Sequence, residues 1–432
     1  MLSGFSLDLR GWEGNATKLM TTRVGITGIG VITPLGNDVA TTWEAICQGR
    51  SGARLISRFD PSRHDVRIAA EVQDFDAAKY LDRKEVRRTE KFVQYAYAAA
   101  RQAVEDASLD IEAMPDDVGV VIGSGSGGLQ VLEDGFHQLF DEGPQRISPF
   151  FVPMIAPDMG TGYVSMRMRA RGPNFSAVSA CATSAHAIGE AAEIIRRGDA
   201  RAMIAGGSEA SITQMTLAAF ANMHALSRRN DEPTRASRPF DNQRDGFLMG
   251  EGAGVVIVEN LELAKARGAH IYAEILGYAG TSDAHHITEP SPGGAGLARA
   301  LKRALVKANI TPEKVEYINA HGTSTRFNDS SETAAIKSIF GDHAYHLAVS
   351  STKSMTGHMM GAAGGVEAIL TLLALRDGIL PPTINYEEPD PECDLDYVPN
   401  QSRRADIRIA LSNSMGFGGH NAVLVLGKYD GD

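Results

Sequence analysis

Short runs rich in valine and isoleucine alternate along the chain with longer alanine-rich stretches of helical periodicity. Runs of strand length such as Arg23–Val31, Val118–Ile122 and Val255–Val258 are nearly continuous in apolar residues, which indicates β-strands buried on both faces. Stretches such as Lys91–Ala107 and Ala362–Arg376 have the length and pattern of helices. This alternation predicts an α/β protein built around a buried sheet.

A repeated three-residue motif, which we call the Ala-Val-Ser echo, indicates that the chain contains two related halves. Ala177–Ser179 and Ala348–Ser350 both read Ala-Val-Ser at the end of a predicted strand, and a helix of small residues follows each. This repeat indicates a duplicated βα unit rather than a linear repeat array. Because no flexible linker separates the two parts, we expect residues 23–268 and 269–432 to be similar halves of one body. Further predicted strands are Asn174–Val178, Ala202–Ala205, Tyr272–Tyr278, Val315–Asn319, Leu347–Ser350, Arg408–Leu411 and Ala422–Leu426, and further predicted helices are Ser184–Arg197, Gly296–Ala308 and Ser331–Phe340.

Residues 1–22 precede the first predicted strand and carry no targeting pattern. They mix acidic with basic residues and lack both the apolar core of a secretory signal and the composition of a transit peptide. Met20 stands directly before the first predicted strand. We therefore expect residues 1–22 to be a dispensable extension.

Composition excludes several classes of protein. The 432 residues include 53 acidic and 42 basic side chains, a formal net charge of −11, which disfavours nucleic acid as a partner. Cys47, Cys181 and Cys393 lie too far apart for a disulfide framework or a zinc site. The most apolar helical stretch is too short to span a membrane. We expect a soluble, cytoplasmic protein without membrane insertion.

Cys181 lies between a predicted strand and a predicted helix. A cysteine at a helix N-terminus experiences a field that favours the thiolate, which is the nucleophilic form. Its neighbours Ala180 and Ala182 are small enough to let a substrate carbonyl approach the sulfur. The alternative is a small buried hydrophobic side chain. We take Cys181 as the candidate nucleophile.

His321 begins the segment His-Gly-Thr-Ser-Thr, directly after the predicted strand Val315–Asn319. Ligands of open α/β sheets collect at the carboxyl ends of strands. A ring nitrogen there can donate a hydrogen bond, and the hydroxyls of Thr323 and Thr325 offer contacts to an amide-rich ligand. The alternative is a structural histidine.

Lys353 and His358 follow the predicted strand Leu347–Ser350, and Glu367 lies in the apolar helix after them. A carboxylate in such a helix costs free energy unless it is paired. Lys353 is the natural partner, so we predict an ion pair between Lys353 and Glu367. The alternative is an exposed charge on the helix surface.

Two glycine-rich segments follow predicted strands. In the first, Asn413–Asn421, three glycines surround Phe417, so the backbone can approach a ligand and the ring can move; the alternative is a tight turn. The second, Gly123–Gly128, formally matches a dinucleotide-binding motif. Because no acidic residue follows at the expected distance, we do not expect a nicotinamide cofactor.

Together these motifs resemble the β-ketoacyl-acyl-carrier-protein synthases, specifically the type II elongating condensing enzymes of dissociated fatty acid synthesis. Cys181, His321, Lys353 with His358, and the Gly-Phe-Gly-Gly loop occur in the family's order and at family-like spacings. The resemblance covers nearly the whole chain from residue 23 to residue 426. It implies the thiolase fold, two similar βα halves in a layered α-β-α-β-α sandwich, and a homodimer.

The resemblance also implies a decarboxylative Claisen condensation of acyl and malonyl groups, both carried on acyl carrier protein, in fatty acid chain elongation. Cys181 would hold the acyl chain as a thioester, and the backbone amides of Cys181 and Phe417 would form the oxyanion hole. His321 and His358 would donate hydrogen bonds to the malonyl thioester oxygen as carbon dioxide leaves. The product is a 3-oxoacyl chain two carbons longer.

The remaining roles follow by position within the family pattern. Lys353 would support the site together with Glu367. Thr323 and Thr325 would contact the phosphopantetheine arm of the carrier protein, and Phe417 would act as the gate of the acylated cysteine.

The resemblance requires no cofactor, because the substrates arrive on the phosphopantetheine of the carrier protein. Some relatives hold a monovalent cation near positions that match Asn319 and Glu367. No metal ligand is predicted for this chain.

An acidic carrier protein needs a basic surface on its partner. Lys84, Arg87 and Arg88 are spaced to share a helix face and form the predicted carrier-protein patch; the alternative is a solvated helix start. Gln145 and His224 stand where relatives often carry arginine, so the extent of the patch is open.

Acyl chain length should depend on the segment Gly123–Gly128, which matches the family segment that lines the acyl pocket. Ser126 is small where a bulkier aliphatic residue is common in relatives. We hypothesise that Ser126 opens the pocket to long acyl chains.

Four other classes of protein are less consistent with the residues. Initiating condensing enzymes pair their cysteine and histidine with asparagine, whereas this chain has His358, and thiolases need a second cysteine in a suitable motif. A catalytically silent chain-length factor usually lacks the cysteine, and a cysteine hydrolase would release free acid. A ketosynthase of a dissociated polyketide pathway shares the same chemistry and remains the alternative.

Overall fold

The computed structural model describes residues 22–431, and nearly all of the predicted extension 1–22 lies outside this range. Within it the strands are Val24–Ile32 (β1), Arg54–Leu55 (β2), Ile68–Ala69 (β3), Val118–Gly123 (β4), Ala202–Glu209 (β5), Gly252–Asn260 (β6), Ala273–Ser282 (β7), Tyr317–Asn319 (β8), Ala348–Ser350 (β9), Ile379–Leu380 (β10), Arg403–Arg404 (β11), Ile409–Gly416 (β12) and His420–Lys428 (β13). The α-helices are Val39–Cys47 (α1), Arg83–Val86 (α2), Lys91–Ala107 (α3), Leu129–Glu142 (α4), Phe151–Ile155 (α5), Met159–Met168 (α6), Thr183–Arg197 (α7), Gln214–Asn222 (α8), Leu261–Ala266 (α9), Ala295–Ala308 (α10), Arg326–Phe340 (α11), Lys353–Thr356 (α12) and Ala363–Asp377 (α13).

Nine of these strands form one mixed sheet in the order β4-β5-β6-β1-β7-β13-β12-β8-β9. Its two parts have the same topology. In the first part, β1 is antiparallel to β6, β6 is antiparallel to β5, and β5 is parallel to β4. In the second part, β7 is antiparallel to β13, β13 is antiparallel to β12, and β12 is parallel to β8. The parts meet where β1 pairs with β7. The duplicated βα unit predicted from the Ala-Val-Ser echo is therefore confirmed, while the boundary at residue 268 stays a prediction.

The strands are buried on both faces because three layers of helices pack against the sheet. In β6, Val256 and Val258 join a central core with α7 and α13, whereas Val255 and Ile257 point to an outer core with α3. On the far side, α10 and α11 cover β8, β12 and β13 in a third core. The layers follow the predicted α-β-α-β-α order, which explains why the strands read as continuous apolar runs.

Close packing of α3 against β1 depends on glycine. A Cβ atom added at Gly28 would lie 2.1 Å from the carbonyl oxygen of Ala103, and one added at Gly30 would lie 2.0 Å from that of Ala99. Any side chain at either position would push the helix off the sheet.

Helix α13 runs through the middle of the molecule. Every residue from Ala363 to Leu375 is buried, so this helix has no solvent-facing side. Glu367 is among them, which excludes the exposed carboxylate considered as an alternative. Within residues 22–431, no helix is both long and apolar enough to cross a bilayer.

Two element predictions need correction. Asn174–Val178 is not a strand: only Asn174 forms an isolated bridge, to Val120 of β4, and the segment continues as extended chain. Helix α11 begins at Arg326, five residues before the predicted start at Ser331, because the Thr325 side chain caps it.

Candidate functional site

Cys181 lies in a 3₁₀ turn, Ala180–Ala182, directly before α7. Ala180 has a φ of 51°, a left-handed conformation that an alanine adopts only under constraint. The sulfur is buried, and burial raises the pKa of the Cys181 thiol to about 12, although the charge of Lys353 and the backbone amide of Phe417 act in the opposite direction. Burial thus opposes the field of the helix N-terminus, which favours the thiolate.

Lys353 connects the end of β8 to the central helix α13. Its ammonium donates to the His321 carbonyl oxygen at 2.7 Å, to His321 Nδ1 at 3.2 Å and to a carboxylate oxygen of Glu367. Both side chains of the ion pair are at most 2% exposed. The predicted ion pair is confirmed, and it occupies all three N–H donors of Lys353 together with the His321 contacts.

The contact from Lys353 also sets the tautomer of His321. An ammonium can only donate, so Nδ1 of His321 accepts and the ring proton lies on Nε2. Burial and the charge of Lys353 hold the pKa of His321 well below its usual value. His321 is therefore a neutral hydrogen-bond donor.

His358 lies beside His321, with ring centroids 5.3 Å apart and planes at 86°. Its backbone amide donates to the Leu248 carbonyl at 2.7 Å, and its carbonyl accepts from the Gly250 amide at 2.8 Å. Burial, followed by the charge of Lys353, holds the pKa of His358 well below its usual value. The site thus contains two adjacent neutral imidazoles.

Glu332 of α11 holds the backbone of the His321 segment, a role that the sequence analysis missed. Its carboxylate accepts hydrogen bonds from the amides of His321 at 2.9 Å and Gly322 at 2.8 Å, and from Asn413 at 3.1 Å. Burial raises the pKa of Glu332 to about 7. The available signal was its place on the apolar stripe of the helix, four residues before Ile336.

A cavity of about 460 Å³ brings the predicted residues together, and we call it the site cavity. Its walls include most of the predicted functional side chains: Ser126, Cys181, His321, Thr323, Thr325, His358 and Phe417. Lys353 and Glu367 are not in its wall and lie behind His321. The hydroxyls of Thr323 and Thr325 are 3.0 Å apart, and Phe417 is 36% exposed at its place in the wall.

Glu209 holds the wall around Ser126 in place through hydrogen bonds. The sequence analysis did not identify this residue. Its carboxylate accepts from the Ser126 hydroxyl at 2.6 Å, the Ser124 hydroxyl at 3.1 Å, and the amides of Gly125 and Gly361 at 2.9 Å each. One carboxylate of the first half thus holds a turn of the second half. Because Gly361 would place a Cβ atom 2.4 Å from the Gly125 nitrogen, a side chain cannot fit between them.

The predicted carrier-protein patch is exposed but does not share one helix face. Lys84 lies in α2, which ends at Val86, so Arg87 caps this four-residue helix and Arg88 lies beyond it. The Arg88 guanidinium lies 4.6 Å from the centroid of the Phe150 ring. None of the three basic residues lines the site cavity. The spacing of Lys84, Arg87 and Arg88 would place them on one face of a longer helix, but α2 has only four residues.

Several buried oxygen atoms behind the imidazoles have no hydrogen-bond partner in the described part of the chain. They include Oδ1 of Asn319, Oε2 of Glu367 and Oγ of Ser412, and Asn319 pairs with Ser412 across β8 and β12. Oxygen donors of this kind suit a hard cation. No group of three or more His, Cys, Asp or Glu side chains within residues 22–431 is placed to hold a metal ion.

Comparisons with known proteins match this arrangement over most of the chain. Residues 21–264 match the family model "Beta-ketoacyl synthase, N-terminal domain", and residues 272–387 match "Beta-ketoacyl synthase, C-terminal domain". Two relatives named 3-oxoacyl-[acyl-carrier-protein] synthase 2 are 54% identical: one from Synechocystis sp. (94% of this chain, 98% of the relative) and one from Staphylococcus aureus (94% and 99%).

Solved structures show the same fold. A β-ketoacyl synthase from Burkholderia phymatum has a TM-score of 0.88 and 35% identity, covering 94% of this chain and all of that one. A type II polyketide ketosynthase, solved in complex with its acyl-carrier protein and bound to a hexaketide, has a TM-score of 0.88 and 34% identity, covering 95% and 100%. By its sequence and its fold, this chain belongs to the β-ketoacyl synthase family.

Proposed function

We propose that the protein elongates fatty acids by condensing an acyl group with a malonyl group, both carried on acyl carrier protein. The observation that carries the proposal is one cavity that holds a buried thiol and two neutral imidazoles, those of Cys181, His321 and His358. The relatives at 54% identity are named 3-oxoacyl-[acyl-carrier-protein] synthase 2. The polyketide ketosynthase structure shares 34% identity, so the polyketide alternative is less favoured.

In the first half-reaction, the sulfur of Cys181 attacks the carbonyl carbon of the incoming thioester. The carbonyl oxygen gains negative charge, which the backbone amides of Cys181 and Phe417 stabilise as an oxyanion hole. The bond to the sulfur of the arm then breaks, and the proton of the Cys181 thiol ends on the released arm. A thiol at rest suits this transfer, since the charge appears only when the substrate is bound.

In the second half-reaction, the carbon–carbon bond to the malonyl carboxylate breaks and its electron pair passes into an enolate. The Nε2–H of His321 donates to the enolate oxygen, and the ring of His358 donates a second hydrogen bond. The enolate carbon attacks the acyl-Cys181 carbonyl, the carbon–sulfur bond breaks, and the Cys181 thiolate takes a proton from solvent. Neutral imidazoles fit this step because they donate without a charge that would hold the malonyl carboxylate in place.

Residues around the reacting atoms position the substrates. The hydroxyls of Thr323 and Thr325 face the cavity, where they can bind the amides of the phosphopantetheine arm. Phe417 stands next to Cys181 on a loop with two glycines in the left-handed region, Gly418 and Gly419, so its ring can move aside when the cysteine is acylated. Asn319, Glu367 and Ser412 would hold a monovalent cation, which would supply fixed positive charge behind the histidines.

The proposed partners are an acidic carrier protein and a second copy of this chain. Lys84, Arg87 and Arg88 supply exposed positive charge for the carrier despite the net charge of −11. Phe175 and Val178 are exposed on the extended segment beside the edge strand β4, where a second copy can cover them.

Intact-protein mass spectrometry tests the reaction. After mixing with hexadecanoyl carrier protein, the wild type should gain one hexadecanoyl group, and malonyl carrier protein should then convert it into a 3-oxooctadecanoyl product. Cys181→Ala should gain none, whereas Cys47→Ala, which changes the half-buried cysteine outside the site cavity, should react like the wild type. An adduct on Cys181→Ala, or no adduct with any acyl length, would refute the proposal.

A further inference from the structure

The charged residues that line the site cavity are mostly acidic. Arg326 is the one arginine or lysine among the described lining residues, whereas Asp245, Asp283 and Glu289 supply three carboxylates beside the buried Glu209. Asp245 accepts a backbone amide at 3.2 Å and Asp283 accepts the Asn421 amide at 2.8 Å. Among the described lining residues, Arg326 is therefore the one permanently charged side chain with which a negatively charged substrate could form an ion pair.

The guanidinium of Arg326 is available for such a contact. It is exposed and forms no hydrogen bond or ion pair with any residue from 22 to 431. Its backbone is fixed nonetheless, because the carbonyl oxygen accepts from Arg244 at 3.2 Å and from the Ser330 hydroxyl at 3.0 Å. Arg326 thus has an anchored main chain and lies directly after Thr325 in the cavity wall. Its charge acts on Asp390, but the two side chains form no ion pair.

Its neighbour Phe327 adds an apolar surface at the same place. Phe327 also lines the site cavity, yet its side chain is 71% exposed. A phosphopantetheine arm has the complementary chemistry, since its phosphate is one methylene group away from a carbon that bears two methyl groups. A cation and an aromatic ring on consecutive residues match this pair of groups.

We propose that Arg326 binds the phosphate of the arm while Phe327 packs against the dimethyl group. The inference rests on the proposed function, since it assumes a substrate on phosphopantetheine. A guanidinium forms charge-assisted and often bidentate hydrogen bonds with phosphate, so it fixes orientation as well as charge. Arg326 touches no reacting atom in this arrangement and is a positioning residue.

Two thioesters that differ only in the phosphate test this role. Hexadecanoyl-phosphopantetheine and hexadecanoyl-pantetheine are given to the wild type and to Arg326→Gln, and kcat/KM for acylation of Cys181 is measured by intact mass. Arg303→Gln is the matched control, because Arg303 is exposed on α10, outside the site cavity, and its loss changes the net charge equally. Arg326→Lys tests whether charge alone suffices.

In the wild type and in Arg303→Gln we expect the phosphorylated substrate to be preferred by about tenfold, the size of one charge-assisted contact. Arg326→Gln should lose this preference through a higher KM for that substrate and react with hexadecanoyl-pantetheine at the wild-type rate. Arg326→Lys should keep part of it. An equal loss with both substrates, or a preference unchanged in Arg326→Gln, would overturn the inference. Failure of the wild type to acylate with hexadecanoyl carrier protein, run beside both substrates, would overturn the proposed function itself.

Discussion

Replacement of Glu367 by glutamine tests how far the Lys353 ammonium depends on its buried counter-charge. The Lys353 side chain is 1% exposed and that of Glu367 is 2% exposed, so water reaches neither. In Glu367→Gln the ammonium keeps its contacts with His321, at 2.7 Å to the carbonyl oxygen and 3.2 Å to Nδ1, but loses the only formal negative charge bonded to it. The positive charge then stays in a site of low polarity.

Removing one partner of a buried ion pair costs about 3–5 kcal/mol, because the remaining charge is left uncompensated. We expect Glu367→Gln and Lys353→Met each to lower the free energy of unfolding by about this amount. The double variant has no buried charge left, so its loss should be smaller than the sum of the single losses by at least about 1 kcal/mol.

Denaturant unfolding near neutral pH, followed by tryptophan fluorescence, measures these losses as a double-mutant cycle. The ion pair between Lys337 and Asp394 is the matched control, since its side chains are 30% and 43% exposed. For Lys337→Met and Asp394→Asn we expect a coupling below about 1 kcal/mol. A coupling between Lys353 and Glu367 no larger than this control would refute the reasoning.

Three further predictions follow from the site. In Lys353→Met, the pKa of His321 should rise because the charge that lowers it is gone, and the acid limb of the condensation rate should move to higher pH; an unmoved limb would contradict the assigned cause. The pKa of Glu332, raised to about 7, means that the folded state binds its proton more tightly than the unfolded state, so its stabilising effect is full below about pH 4.5 and is lost as pH rises through 7. Denaturant midpoints at pH 5 and pH 8 should therefore differ less in Glu332→Gln than in the wild type, and an equal difference would count against the raised pKa. Ser126→Ile breaks the 2.6 Å hydrogen bond to Glu209 and should slow acylation by hexadecanoyl relative to hexanoyl carrier protein by about tenfold, in the range of overpacking costs; equal rates would show that Ser126 does not set chain length.

Local patterns were enough to predict the nine strands of the large sheet and the helices α3, α7, α10, α11 and α13, but not α4, α6 or α8. The helix Lys91–Ala107 has the predicted bounds because its apolar stripe and its neighbours define both ends. The pair of Lys353 and Glu367 followed from the cost of an unpaired carboxylate in an apolar helix. Cys181 and His321 were selected from their positions after predicted strands, although only the strand before His321, β8, is formed.

Features that depend on distant contacts were not predictable in this way. Glu209 accepts from the backbone amide of Gly361, which lies 152 residues away in sequence. Glu332 accepts from the side-chain amide of Asn413, which lies 81 residues away. The burial that raises the pKa of the Cys181 thiol was not visible in the sequence, whereas the start of the helix was. The patch that includes Arg88 failed as a helix face because α2 has only four residues.

The burial of α13 has a consequence for how the molecule is made. Its residues Ala363–Leu375 close the central core between the two halves of the sheet, yet they are synthesised after more than four-fifths of the chain. Until they leave the ribosome, the surfaces of α7 and β6 that pack against α13 are uncovered, although every other layer of the first half is already synthesised. During synthesis the first half therefore exposes an apolar surface to solvent. The pocket around Cys181 is completed only when α13 packs against this surface. Aggregation during synthesis, rather than loss of the finished fold, is then the hazard that substitutions in α13 would increase.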